Sequence, residues 1–201
     1  MVTFPNTKEE YIKAVTRETA RMSYPGSMSR GKSPILEGGT KKYIENEFFP
    51  TFLSGLWDTI DSVADQFDDW HEKQTIALGH SLSLKGLLGN PAYGEAVGAK
   101  LINTFMYQLM KYDHFSPLWS KLHLPLDRMM INALSELESP ALCPVKDTLN
   151  DYKGCPYRIT YKKEYKPIQE ALWQLVAELN KRPDAGYNLT SRIELNLLWA
   201  E

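Results

Sequence analysis

Apolar residues return every three or four positions through almost all of this chain, the period that an amphipathic helix imposes. Phe52, Leu53, Leu56, Trp57, Ile60, Val63 and Ala64 trace one such face. Val97, Leu101, Ile102, Phe105, Met106, Leu109 and Met110 trace another. Alternation by two, the mark of a half-buried strand, is all but missing, and only Arg158-Ile-Thr-Tyr161 offers a brief strand-like run. Thr7-Lys-Glu-Glu10 is a capping box that opens a helix running to about Met22. Residues 23–39, rich in Gly, Ser and Pro, form a loop, and Thr40 caps a helix that stops near Pro50. Further helices are expected over about 50–64, 70–88 and 95–112. Residues 113–125 are irregular and end on Leu124-Pro125, where the residue before proline avoids helical dihedrals. A helix restarts over 126–137, and 138–165 is loop-like. Pro167 opens a helix through Lys181 from its first turn, and a last helix covers about 188–199. The expected fold is all-α, with seven or eight helices. It forms one unit over residues 1–201, or two interleaved halves divided near residue 90 with a cleft between them.

Composition removes whole classes of function. With 201 residues, 5 Trp, 11 Tyr and 7 Phe, the chain has apolar area enough for a packed core, so disorder is excluded as its main state. No window approaches 18 uncharged apolar residues, and the N-terminus lacks a basic patch followed by an apolar stretch. A cytoplasmic protein of a bacterial, archaeal or phage-infected cell is expected. Cys143 and Cys155 are the only cysteines and form no CxxC pair, which excludes a cysteine zinc site or a four-cysteine cluster and favours two reduced thiols. His71, His80, His114 and His123 show no metal-ligand spacing, so no metal or other cofactor is expected.

The net charge of −2 is unevenly spread. Arg17, Arg21, Arg30, Lys32, Lys41 and Lys42 crowd one stretch, whereas 43–72 holds eight acids and no base. A third stretch, 146–166, interleaves six bases with Tyr152, Tyr157, Tyr161 and Tyr165. Bases mixed with aromatics suit a polyanion with stackable rings, and equally an ordinary solvated surface.

Chemistry concentrates in Gly94-Glu-Ala-Val-Gly98-Ala-Lys100 and Leu124-Pro-Leu-Asp127-Arg128. Gly94 to Gly98 reads as a tight helix start whose free N–H groups can hold a phosphate. Lys100 follows within the first turns, and Asp127 opens its own helix, so a nucleophile and its base are each delivered by a helix N-terminus. Plainer roles compete: Gly98 permitting close helix packing, Asp127 stabilising its helix by ~0.5–1 kcal/mol, Lys100 solvated, Arg128 either pairing with Asp127 or touching phosphate. Trp173 and Trp199, at helical spacing with Leu172, Val176, Leu195 and Leu198, are expected in the core.

These two motifs resemble those of the helix-hairpin-helix DNA glycosylase superfamily, whose hairpin reads x-Gly-Val-Gly-x-Lys and whose later motif reads Val-Asp or Pro-Val-Asp. Ala96-Val97-Gly98-Ala99-Lys100 and Leu124-Pro125-Leu126-Asp127 are the matching stretches here. The likeness covers Gly94–Leu137 and, more weakly, Lys166–Trp199, where Ile193-Glu-Leu-Asn-Leu-Leu-Trp199 is similar to the closing helix of the archaeal 8-oxoguanine glycosylase branch. Ala96 replaces the first hairpin glycine, the interval from Lys100 to Asp127 is long, and the net charge is slightly acidic. The resemblance implies an enzyme that flips a base from duplex DNA and breaks its N-glycosidic bond; the oligomeric state is not fixed by the sequence, with a monomer expected. Lys100 would attack C1′ to form a Schiff base, and Asp127 would activate it and stabilise positive charge on the sugar. Gly94, Gly98, Arg128, Arg30, Lys32, Lys41 and Lys42 would contact phosphate, and Tyr112, Phe115, Trp119 and His123 would stack on the flipped base. Two other readings fit the same residues. One is a phage-type transferase on a related scaffold, replacing pyrophosphate on a 5-hydroxymethyluracil-derived base with an amine such as an amino acid. There Asp127 would deprotonate the amine while Lys100, Arg128 and the basic residues hold the leaving group. The other is a non-catalytic DNA-binding module.

Overall fold

The computed structural model describes residues 7–29, 34–182 and 186–199, and among these the chain is all-α with no strand. Its α-helices are α1 (Lys8–Ser23), α2 (Thr40–Tyr43), α3 (Phe49–Trp57), α4 (Ile60–Asp65), α5 (Phe67–Leu84), α6 (Gly94–Leu109), α7 (Arg128–Glu136), α8 (Lys146–Tyr152) and α9 (Lys166–Asn180). Thr7 caps α1 as its sequence requires, its hydroxyl accepting the Glu10 N–H at 3.2 Å.

Several expected boundaries shift for identifiable reasons. Pro50 does not end a helix. The chain runs continuously from Thr40 to Trp57, because a π turn over Ile44–Phe48 places Pro50 in the first turn of α3. There its missing N–H is no loss. Gly39, at φ 94°, precedes that helix, while Thr40 is its first buried residue and donates to the carbonyls of Glu37 and Leu87 at 2.7 and 2.9 Å. The same device recurs at Pro167, where a π turn over Tyr161–Tyr165 leads into α9. The strand-like run at 158–161 forms no strand, since Thr160 and Tyr161 start this turn. The loop-like stretch 138–165 contains α8 and 3₁₀ turns at Pro140–Val145 and Pro156–Arg158. Residues 113–121 and 192–199 are 3₁₀ rather than irregular and α-helical, respectively.

The interior divides into two apolar clusters. One gathers α1, the π turn at Ile44–Phe48, α3, α4, α5 and most of the apolar face of α6, with Phe49 stacked on Phe105 at 3.7 Å between ring centroids. The other gathers Leu124, Leu126, α7, α8, Tyr161, Tyr165 and α9, with Ala99 of α6. α6 therefore belongs to both. Trp173 is an exception to the expected core, because its side of α9 faces out and the ring is 43% exposed.

α5 and α6 are held at backbone contact. A Cβ at Gly98 would lie 2.4 Å from the Thr75 carbonyl oxygen, and one at Gly79 would lie 2.4 Å from that of Gly94. No side chain fits there, so Gly94 and Gly98 permit the close helix packing. Glu95, in the first turn of α6, accepts the Tyr161 N–H. Gly98→Ala is expected to lower stability by about 1–3 kcal/mol despite alanine's higher helix propensity. That corresponds to a fall of roughly 2–12 °C in Tm for a chain this long. Scanning calorimetry checks it, and an unchanged or raised Tm would show that the two helices separate freely.

Candidate functional site

Lys100 and Asp127, 27 positions apart, meet. Lys100 is the seventh residue of α6, and its Nζ lies 3.6 Å from Asp127 Oδ2. The lysine side chain is only 12% exposed and the carboxylate 40%. Asp127 divides its oxygens, since Oδ1 caps α7 by accepting the Met130 N–H at 3.0 Å while Oδ2 faces the ammonium. The extended segment leading to Asp127 is fixed by buried Gln169 of α9. Its amide accepts from Leu124 N at 3.0 Å and donates to Leu124 O at 2.7 Å. Sequence reading missed Gln169, because an amide clamp across 45 residues leaves no local pattern. Beside the pair lies a cavity of about 10 Å³, bounded by Ala96, Lys100, Leu126, Pro156, Ile159 and Tyr165. That is room for about one water molecule. Burial, with the Asp127 charge added, raises the Tyr157 phenol above its ordinary range.

The other expected site residues divide sharply. Arg128 is exposed beside Asp127. Lys41 and Lys42 are exposed on α2, and Lys41 pairs with Glu45 at 3.7 Å. Arg30 and Lys32 fall outside the described residues. Phe115 is fully buried against the edge of Trp57, so its ring has no face left for a base. Tyr112 donates to Glu18 of α1 at 3.0 Å; burial and that bond push its phenol up to about 12. Trp119 donates to Thr190 at 3.0 Å. None of these three borders the Lys100 cavity. His123 is buried behind Tyr165 and reaches that cavity only through it.

His123 instead belongs to a hydrogen-bonded chain that the sequence did not announce. His123 Nε2 lies 2.7 Å from Asp68 Oδ1 and Nδ1 lies 3.2 Å from the Tyr165 hydroxyl. Asn103 donates to that hydroxyl at 2.7 Å, and its Oδ1 lies 2.7 Å from His71 Nε2. His71 Nδ1 meets the Tyr161 hydroxyl at 2.7 Å. With both imidazoles neutral, the carboxylate at one end sets every proton. A carboxylate only accepts, so His123 carries its hydrogen on Nε2 and accepts on Nδ1 from Tyr165. Tyr165 then accepts from Asn103, Asn103 accepts from His71, and His71 accepts from Tyr161. All five bonds point toward Asp68, and both imidazoles are neutral. The π turn before Pro167 supplies both phenols, Tyr161 and Tyr165. Burial lowers His71 well below the usual histidine value and lowers His123 to about 4, against the opposing pull of Asp68. Asp68 is held well below the carboxylate range by its His123 bond and by Arg192, at 3.5 Å.

Comparison of the chain with protein-family models, with curated proteins and with solved structures returns no significant match.

Because His123 is more acidic folded than unfolded, the unfolded chain binds the extra proton between pH 6.5 and about 4. The stability that this neutral imidazole contributes is complete above pH 6.5 and is lost as pH falls through that window. Going from pH 7 to pH 5 is expected to cost about 2 kcal/mol through His123 alone, and His71 adds in the same direction. Urea denaturation at the two pH values measures it, and equal midpoints would contradict the neutral, buried assignment.

Proposed function

We propose that this chain is a DNA base-excision glycosylase with lysine Schiff-base chemistry, acting on a base flipped out of the duplex. The observation that carries the reading is the Lys100–Asp127 pair, a shielded amine and a half-exposed carboxylate at a helix N-terminus. In the proposed reaction the Lys100 nitrogen, after losing a proton, forms a bond to C1′ as the glycosidic bond breaks. The base departs with the bonding electrons and takes up a proton. Asp127 accepts the lysine's proton and passes it to the departing base, and the carboxylate thus restored faces the positive charge that builds on the sugar. That interaction strengthens only as the transition state is approached. Ring opening of the attached sugar then gives the Schiff base. The one-water cavity leaves no space for a base behind Lys100, so the nucleotide would approach from the open side of Asp127. Arg128 is exposed there for a phosphate, and Met129, 78% exposed, offers an apolar surface to the base stack.

One observation favours the second reading, a transferase that exchanges a pyrophosphate on a modified base for an amine. Lys100 is ion-paired with Asp127, and Arg128 adjoins it. The Lys100 ammonium and the exposed Arg128 would hold a diphosphate leaving group while the Asp127 carboxylate takes the proton of an attacking amine.

Borohydride trapping on duplexes containing an abasic site, 8-oxoguanine or uracil separates the two. Wild type is expected to give a covalent adduct on one of them, and Lys100→Met, which keeps the buried stem, is expected to give none. Asp127→Asn preserves the helix cap, so its expected loss of roughly 10²-fold or more in trapping rate reports on chemistry rather than folding. Intact DNA binding with no adduct on any duplex would overturn the lyase and leave amine transfer to a pyrophosphorylated base as the reaction to assay.

A further inference from the structure

A second cleft, of about 570 Å³, opens on the far side of the His123–Tyr165 wall from Lys100, between the start of α5, the 3₁₀ segment at Asp113–Lys121 and α9. Its volume falls in the range of small-molecule sites, about 300–1,000 Å³. Asp68 stands in it with its carboxylate fixed from behind. His123 Nε2 and Arg192 both engage Oδ1, and neither engages Oδ2. Arg192 is itself anchored by the carbonyls of Lys121 and Leu122 and lies 5.7 Å from the ring centroid of Trp173, so it is a fixed part of the wall. Asp69 and Glu170 add carboxylates to the lining, and Lys121 and Lys166 add ammonium groups. Among the described residues none of these four side chains forms an ion pair. Apart from the Asp68–Arg192 pair, charges of both signs thus share one cavity without pairing, around an aromatic side chain and one immobilised carboxylate.

We propose that this cleft binds a small zwitterion, its ammonium group on Asp68 and its acidic group on Lys121 and Lys166. A ligand of one sign would meet repulsion from half of the lining, and a nucleic-acid backbone would meet Asp65, Asp68, Asp69 and Glu170. A molecule carrying both signs satisfies both sets. Trp173 supplies an apolar face for the ligand's carbon skeleton. The site is distinct from the Lys100–Asp127 pair and stands or falls apart from the reaction proposed there.

Isothermal titration of the full chain tests this with two zwitterions, L-glutamine and O-phosphoethanolamine, against n-butylamine and propionate as single-charge controls. At least one zwitterion is expected to bind roughly ten-fold or more tighter than either control. Which one does so separates a carboxylate ligand from a phosphate ligand. Asp68→Asn is expected to weaken that binding by roughly ten-fold or more. The double variant Lys121→Met/Lys166→Met is expected to do the same without touching the buried hydrogen-bond chain, so it decides the matter if Asp68→Asn fails to fold. No zwitterion binding up to about 10 mM, equal binding of butylamine or propionate, or a folded double variant that binds as wild type would each overturn the proposal.

Discussion

The backbone contact between α5 and α6 is the constraint on which the other arrangements depend. Gly79, Gly94 and Gly98 let the two helices approach until carbonyl oxygens occupy the space a methyl group would need. The approach fixes α6 along its length, and α6 carries Lys100 on one flank and Asn103 on another. α5 in turn carries Asp68, His71 and Thr75. Were the helices farther apart by the width of a side chain, His71 would lose its 2.7 Å contact with Asn103, and the chain of bonds to Asp68 would break in the middle.

That chain is a costly thing to bury, which explains its completeness. An unsatisfied polar group inside a protein costs on the order of 1–3 kcal/mol, so a partial network is worse than an apolar core. Here both imidazoles, the Tyr165 phenol and the Asn103 amide each give and receive, Tyr161 gives at the far end, and the ordering is dictated by the carboxylate at the other. Desolvation keeps both histidines neutral, and their neutrality is what allows the chain to run in one direction. The network therefore couples the packing of α5, α6 and the π turn before α9 to proton concentration.

The two candidate sites sit on either side of this network. The Lys100–Asp127 pair lies against the cluster built from α7–α9, and the Asp68 cleft opens past His123. Tyr165 links the two, bordering the lysine cavity while its hydroxyl bonds to His123, which in turn holds Asp68. A site of each kind needs what its surroundings give. The lysine is shielded and its carboxylate is shared with a helix cap, whereas Asp68 is anchored on one oxygen and open on the other.

Helix identity was legible in the sequence because a 3.6-residue period is local, and so was the cap at Thr7. Asp127 as a helix opener was legible for the same reason, and its placement near Lys100 rested on a likeness of short motifs. The strand-like run at 158–161 and the helix stop at Pro50 were misread, because a π turn is decided by how the following proline is accommodated rather than by residue pattern. Phe115 looked like a stacking ring and is core, and Trp173 looked like core and is surface. Periodicity says which residues share a face but not which face is covered. Local physics thus determined the all-α class and most helix limits. Only the tertiary structure decided that glycines of two helices would touch, that Asp68, His123, Tyr165, Asn103, His71 and Tyr161 would form one directed chain, and that Gln169 would clamp the approach to Asp127. Those contacts span 15 to 90 residues of sequence, and no short-range rule encodes them.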